Sequence, residues 1–395
     1  MSNVLNTRES EYVSPNTDLL NDHPTHSTPS LKDAEQIANK IIEEAAKNGL
    51  NVTLAENGIT LGSSITKYSF VPDPVAGIRS QIACIGQVAE LITLQPVRVD
   101  LNTVDATVTA EVPNPTATVV SFKELVQSEG FKNSESGTAV CIGKTVEGKT
   151  VVADIANMPH ALIAGNTRSG KSVSMSTMLL SLIWRSSPEK LKLILMDPKR
   201  VEFTEYKALP HLAMPIIEDT KAAIEALTWV VEEINRRFQI LEDNRVRNLG
   251  EYEKKTEGIA DAEKLPNIII MIDELAEYMM TAAASIEPLI CTVTAKGRAV
   301  GIHLIAATQR PSKDVITEIV KSNLPTKIAM KVAEQTDART VGAEGAEKLV
   351  GRGDMLYVSP GDRPVRVQGA YVSNGEIKKV VQFVTEKNGT AKGLK

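Results

Sequence analysis

The segment Gly165-Asn166-Thr167-Arg168-Ser169-Gly170-Lys171-Ser172 follows the apolar run Ala161-Leu162-Ile163-Ala164 and precedes a helical pattern through Leu182 and Ile183. Its spacing, G-x-x-x-x-G-K-[ST], is that of a phosphate-binding loop, and a strand before it with a helix after it is the context the motif requires. Such a loop turns successive backbone N–H groups toward phosphate at a helix N-terminus. The stretch from Gly165 through Val173 is therefore expected to hold a nucleotide. Lys171 would add positive charge at the β- and γ-phosphates, and the Ser172 hydroxyl would ligate Mg²⁺. ATP and Mg²⁺ are the cofactors this reading implies.

Outward from the loop, apolar strand-like runs alternate with long helical patterns from about residue 137. That rhythm predicts an α/β fold with a mostly parallel sheet covered on both faces. The clearest strands are Ala161–Ala164, Leu191–Met196, Ile268–Ile272 and His303–Ala307. From Thr220 to Leu241, the residues Ile224, Leu227, Val231, Ile234, Phe238 and Leu241 recur at helical spacing. This stripe reads as a face packed on the sheet, with a coiled-coil partner as the other option.

Three strand ends carry polar groups toward the loop. Asn267 to Ile272 is apolar and closes on Asp273-Glu274, and a carboxylate at the carboxyl end of a buried strand is where a Mg²⁺-holding group belongs. Asp273 is the expected metal residue, and Glu274 the expected general base that polarises an attacking water. Thr308-Gln309 follows another strand. Gln309 reads either as a γ-phosphate sensor or as a loop amide. Asp197-Pro198-Lys199-Arg200-Val201-Glu202 ends a third strand and either serves the site or solvates a turn.

The chain has 395 residues, a net charge of −5 and 24% charged residues. That balance excludes a protein that grips nucleic acid by bulk basicity. Any such contact needs a local surface. The segment Thr292–Arg339 offers one, with eight Lys or Arg against four acids, although a charge run is also what a solvated face looks like. Only Cys84, Cys141 and Cys291 occur, with no C-x-x-C pair, so neither a disulfide framework nor a structural zinc site is expected. No apolar stretch approaches 18 residues and no export signal pattern opens the chain, so a cytoplasmic protein without a membrane span is expected. Residues 1–30 lack periodic apolar character and are expected to be a disordered arm. Residues 31–120 read as a small α+β unit, 121–385 as the phosphate-loop domain, and 386–395 as a flexible tail.

Several motifs occur in one order: Met158-Pro159-His160, the phosphate loop, Asp197-Pro198-Lys199, Pro210-His211-Leu212, Val246-Arg247-Asn248-Leu249, Asp273-Glu274, Gly301-Ile302-His303, Ala307-Thr308-Gln309-Arg310-Pro311 and Gly351-Arg352-Gly353-Asp354-Met355-Leu356. In these the chain resembles the FtsK/SpoIIIE family of double-stranded DNA translocases. Upstream, Tyr68-Ser69-Phe70-Val71-Pro72-Asp73-Pro74 and Glu111-Val112-Pro113-Asn114 resemble the family's α subdomain. The resemblance implies a RecA-like domain, a homo-hexameric ring, double-stranded DNA as partner and ATP hydrolysis coupled to movement. It also implies a trans-acting arginine finger at Arg298 and DNA contacts at Arg310 and Arg339. Where family members commonly place Lys, Gln335 stands here. The family's winged-helix γ subdomain and N-terminal membrane spans have no counterpart in this sequence. Conjugation-type single-stranded DNA motors, secretion-type polypeptide motors and a non-motile DNA scaffold are the other readings. Any recruiting protein is unknown.

Overall fold

Continuous apolar runs need cover on both sides, and the architecture supplies it. A computed structural model describes residues 12–23, 29–259 and 261–390. Among them the chain forms two sheets, one of four strands and one of nine.

The first unit opens with α1 (Leu31–Lys47), whose N-cap Ser30 accepts the Asp33 N–H. It continues through β1 (Thr53–Leu61), β2 (Ile65–Val71), α2 (Ile78–Thr93), β3 (Arg98–Asn102) and β4 (Thr107–Pro113). The strands run antiparallel in the order β1-β2-β4-β3. Ile41 of α1 and Ile85 of α2 meet Tyr68, Phe70, Val108 and Ala110 in its core.

The second unit contains α3 (Phe122–Gln127), α4 (Glu129–Lys132), β5 (Ala139–Thr145), β6 (Thr150–Asp154), β7 (His160–Ala164), α5 (Lys171–Arg185) and β8 (Leu191–Met196). It goes on with α6 (Thr220–Asp243), α7 (Leu249–Thr256), β9 (Asn267–Ile272), α8 (Leu275–Lys296), β10 (Ile302–Thr308), α9 (Glu318–Asn323) and β11 (Thr326–Met330). It closes with α10 (Gln335–Val341), β12 (Asp354–Val358), β13 (Val365–Gly369) and α11 (Asn374–Asn388). The strand order is β6-β5-β13-β12-β11-β7-β10-β9-β8. Strands β8, β9, β10, β7 and β11 are mutually parallel, the RecA-like core. The remaining strands extend it as an antiparallel wing. Along β9, Ile269 and Met271 face the layer of α5, while Ile268, Ile270 and Ile272 face that of α6 and α8.

Three expectations are corrected here. The α6 stripe does pack inward, but its face is rotated: Ala223, Leu227, Val230, Ile234, Arg237 and Leu241 are buried, and Phe238 is 37% exposed. Arg237 takes the core position because its charge is met. Its Nε donates to Glu233 Oε1 at 2.7 Å, and Nη1 donates to the carbonyls of Pro266 and Val300 at 2.8 and 2.9 Å. Secondly, residues 12–23 of the arm expected to be disordered are seated on the second unit. The Tyr12 hydroxyl donates to the Ile183 carbonyl and its ring meets His211 edge-on. Leu20 is buried, and the Asn21 N–H donates to Glu376 Oε1 at 2.8 Å. Residues 1–11 and 24–28 lie outside the described residues. At the other end, α11 runs on to Asn388, into the stretch expected to be a tail, of which 391–395 lie outside the described residues.

The two units meet through buried charge. Arg366 of β13, 5% exposed, forms a two-pronged pair with Asp354 (2.9 and 2.7 Å) and reaches Glu111 of β4 at 2.9 Å. Arg98 also contacts Glu111, at 3.1 Å. Removing one partner of a buried charge set strands the others. Arg366→Met is therefore expected to lower the unfolding free energy by about 3–5 kcal/mol, read as a shifted urea midpoint. An unchanged midpoint would show that these carboxylates are not desolvated.

Candidate nucleotide site

The loop between β7 and α5 is crowded, and its glycines are explained by what touches them. A Cβ on Gly165 would lie 2.6 Å from Ser169 Oγ and 2.7 Å from Met330 Cβ. Gly170 has φ 110°, and a Cβ there would lie 2.5 Å from the backbone nitrogen of Gly353. Neighbouring strand ends fasten the loop. The Gly165 N–H donates to the Thr308 carbonyl at 3.2 Å, the Asn166 N–H to Lys331 at 2.9 Å, and the Gly353 N–H to Ser169 at 2.7 Å.

The parallel order β7-β10-β9 brings three strand ends to one place. Lys171, 3% exposed, donates to Asp273 Oδ1 at 2.7 Å and to the Asp273 carbonyl. Burial raises the Asp273 carboxyl above its ordinary range, and the Lys171 ammonium beside it works against that rise. Glu274 is 1% exposed. It accepts from Thr308 Oγ1 at 2.7 Å, from the Gln309 N–H at 3.1 Å, and from Lys199 Nζ at 3.3 Å. The Gln309 side chain accepts from Thr167 Oγ1 of the loop at 3.0 Å.

The Asp197–Glu202 segment, which the sequence left open between site and turn, lies in the site. The Ser172 hydroxyl donates to Glu202 Oε1 at 2.7 Å, and Lys199 contacts Glu274. Asp197, 1% exposed, closes the segment by accepting the Phe203 N–H at 2.9 Å. Two buried carboxylate oxygens, Oδ2 of Asp273 and Oδ1 of Asp197, have no hydrogen-bond partner among the described residues. A carboxylate oxygen left unpaired in this way is a ligand of the kind Mg²⁺ takes.

Arg298 is not brought to this site. It is exposed on the 3₁₀ turn Gly297–Val300, which precedes β10, so it sits at the amino ends of the parallel strands while the loop sits at their carboxyl ends. Arg310 and Arg339 are exposed, the first just beyond β10 and the second on α10 with a loose 3.8 Å contact to Glu344. Gln335 is exposed at the start of α10. Lys327 must be subtracted from the expected basic surface. It is 9% exposed, and its ammonium is spent on the carbonyls of Leu324 (2.7 Å), Lys321 and Pro325.

The amino ends of the strands also explain two histidine motifs. His160 Nδ1 accepts the Leu304 N–H at 3.0 Å, and His303 Nδ1 donates to the Pro159 carbonyl at 3.0 Å, so the rings lace β7 to β10. His211 Nε2 donates to the Ser186 carbonyl at 2.8 Å.

A sequence model of the FtsK/SpoIIIE family matches residues 121–313. The chain is 40% identical over 382 residues to a protein of Clostridium tetani named DNA translocase FtsK, covering 95% of this chain and 51% of that one. It is 39% identical over 380 residues to DNA translocase SftA of Bacillus subtilis, covering 95% and 40%. The chain thus spans about half the length of these relatives. Among solved structures, the conjugation coupling protein TcpA of pCW3 shares the fold, with a TM-score of 0.60 at 23% identity over 88% of this chain and 99% of that one. The cytoplasmic domain of the type VII secretion ATPase EccC of Thermomonospora curvata matches with a TM-score of 0.56 at 25% identity, over 65% and 31%.

The buried histidines generate a pH prediction. Burial depresses His160 to about 3 and His211 and His303 to about 4, whereas an unfolded histidine titrates near about 6.5. Below about 6.5 the unfolded chain takes up protons that the native state refuses, so stability falls as pH drops toward the folded values. The loss approaches about 1.4 kcal/mol per pH unit for each histidine. Urea midpoints at pH 7 and pH 5.2 should differ, and His211→Phe should flatten the slope by about one proton. A pH-independent midpoint over that interval would contradict the histidines' neutral burial.

Proposed function

The chain belongs to the FtsK/SpoIIIE family, and from that premise we propose that it is an ATPase motor that moves along double-stranded DNA as a homo-hexameric ring. The observation that carries the catalytic half is the meeting of Lys171, Ser172, Asp273, Glu274 and Gln309 at the carboxyl ends of three adjacent strands.

In this reading Lys171 exchanges the Asp273 carboxylate for the β- and γ-phosphates. Ser172 and Asp273 would hold Mg²⁺, and Asp273 Oδ2 has no hydrogen bond that a cation would have to displace. When bound, Mg²⁺ neutralises charge on the phosphate oxygens. Glu274 polarises the attacking water and holds its proton. Its grip by Lys199, Thr308 and Gln309 fixes the carboxylate's direction. Because the Gln309 amide already contacts Thr167 of the loop, a change at the γ-phosphate would reach the segment carrying Arg310.

Arg298 faces away from its own loop, so it would act on the neighbour's nucleotide and stabilise transition-state charge in trans. Arg310 and Arg339 are the proposed DNA contacts, acting on backbone phosphates without sequence readout.

The test is ATP hydrolysis without nucleic acid and with long duplex, single strands or short duplex. Strong stimulation by long duplex is expected, and Glu274→Gln should cut turnover roughly 10²-fold or more while nucleotide binding persists. Preference for single strands would replace this reading with a conjugation-type motor. Indifference to all DNA would sink it in favour of polypeptide movement or a scaffold. Mixing Lys171→Ala with Arg298→Ala subunits should restore part of the hydrolysis that each lacks. No recovery in confirmed mixed rings would remove Arg298 from the trans role.

A further inference from the structure

The phosphate loop is clasped from far along the chain by the turn Gly351-Arg352-Gly353. All three residues have left-handed torsions, with φ of 91°, 54° and 92°. Their backbone is fixed on both sides. The Arg352 N–H donates to the Arg168 carbonyl at 3.4 Å and the Gly353 N–H to Ser169 at 2.7 Å. The Gly369 N–H donates to the Gly353 carbonyl at 2.7 Å, and Gln368 Nε2 to the Arg352 carbonyl at 2.9 Å. Asp354, gripped by Arg366, accepts the Val350 N–H at 2.7 Å.

For the two glycines this conformation costs little. For an arginine it costs on the order of 1 kcal/mol, and glycine would relieve it. The same is true of Arg168, φ 67°, whose carbonyl Arg352 touches. Both arginines are exposed, and among the described residues neither guanidinium has a hydrogen-bond or ion-pair partner. The Lys331 ammonium has none either, and that side chain passes the turn, with Cδ 3.8 Å from where a Cβ on Gly351 would stand. Lys171, Lys199 and Arg200, by contrast, are matched by Asp273, Glu274 and Glu218. The loop's lip therefore carries unneutralised positive charge on strained, pinned backbone. Strain of this kind points to a task for the side chain.

We propose that Arg352, beside Arg168, is a further nucleotide-binding residue that grips the polyphosphate of the nucleotide held by the phosphate loop of its own subunit. The proposal rests on the nucleotide reading above and adds a contact lying about 180 residues beyond the loop motif. A guanidinium fork matches phosphate oxygens in two-pronged fashion. A turn pinned to the loop at Ser169 presents the fork with little ordering cost. That bond lies within one chain, so the grip does not depend on a neighbour in the ring.

The test is titration of the full chain with a fluorescent ADP derivative, with unlabelled ADP, pyrophosphate and adenosine as competitors and with duplex DNA measured separately. Arg352→Gly accepts the observed torsion and should fold. It is expected to weaken ADP and pyrophosphate roughly tenfold, the loss of one charge-assisted hydrogen-bonded contact. Adenosine and nucleotide-free DNA affinity should stay as in the wild type, and Arg352→Lys should recover part of the ADP affinity. Equal weakening of ADP and adenosine, or unaltered ADP affinity beside a Lys171→Ala control that loses it, overturns the proposal alone. Weakened duplex binding with nucleotide affinity intact overturns it in favour of a DNA contact. A wild-type chain that binds no ADP overturns the nucleotide reading and this proposal with it.

Discussion

The buried pair of Lys171 and Asp273 is the interaction around which the second unit is arranged. An ammonium 3% exposed and a carboxylate 1% exposed are each costly alone. They can meet only if β7, which delivers the phosphate loop, and β9, which delivers the carboxylates, lie on either side of β10 with their carboxyl ends level. The register does this: β10 pairs Ala306 with Leu162 on one side and with Ile272 on the other. The same alignment sets Thr308 and Gln309 against Glu274. Core packing, which fills both faces of these strands, and site geometry thus impose one requirement on the sheet. An anion delivered to the loop would not create a new positive centre. It would compete with Asp273 for one that already exists.

A second consequence concerns the first unit. From Ser169 in the loop, contacts run through Gly353 to Asp354, from Asp354 to Arg366, from Arg366 to Glu111 and from Glu111 to Arg98. The middle of this path is buried charge with two-pronged geometry, which fixes orientation as well as distance. The loop that would sense phosphate and the four-stranded sheet are therefore joined by a short chain of directional bonds. Close packing between Gly170 and Gly353 leaves no slack at its start.

Local features of the sequence were readable, and contacts set by tertiary register were not. The phosphate loop, the Asp273-Glu274 strand end and the strand Ile65–Val71 announce themselves through spacing and alternation over a few residues. The antiparallel wing does not. Strands such as β6, half-buried and only five residues long, carry too little pattern to be told from a loop. Lys199 and Glu202 remained ambiguous because charge after a strand is ordinary, and only the bonds to Glu274 and Ser172 decide the matter. The expected α6 stripe omitted the buried Arg237 for the opposite reason. An arginine reads as surface unless the carbonyls waiting for it, here Pro266 and Val300, are known.

That arginine bears on why one subunit is an incomplete machine under the proposed function. The turn Gly297–Val300 is held from beneath by Arg237 on the Val300 carbonyl, and a Cβ on Gly297 would strike the Ile302 carbonyl at 2.3 Å. Arg298 is thus fixed at its base, yet it stands at the far end of the strands from its own loop. Small adjustments within one chain cannot carry a side chain across a packed sheet. A transition-state role for Arg298 therefore requires a neighbouring loop, whereas the Gly351–Gly353 clasp is complete within one chain. Binding a nucleotide and hydrolysing it would then fall to different levels of organisation. The first belongs to the folded monomer and the second to the contact between subunits, so turnover would report on assembly.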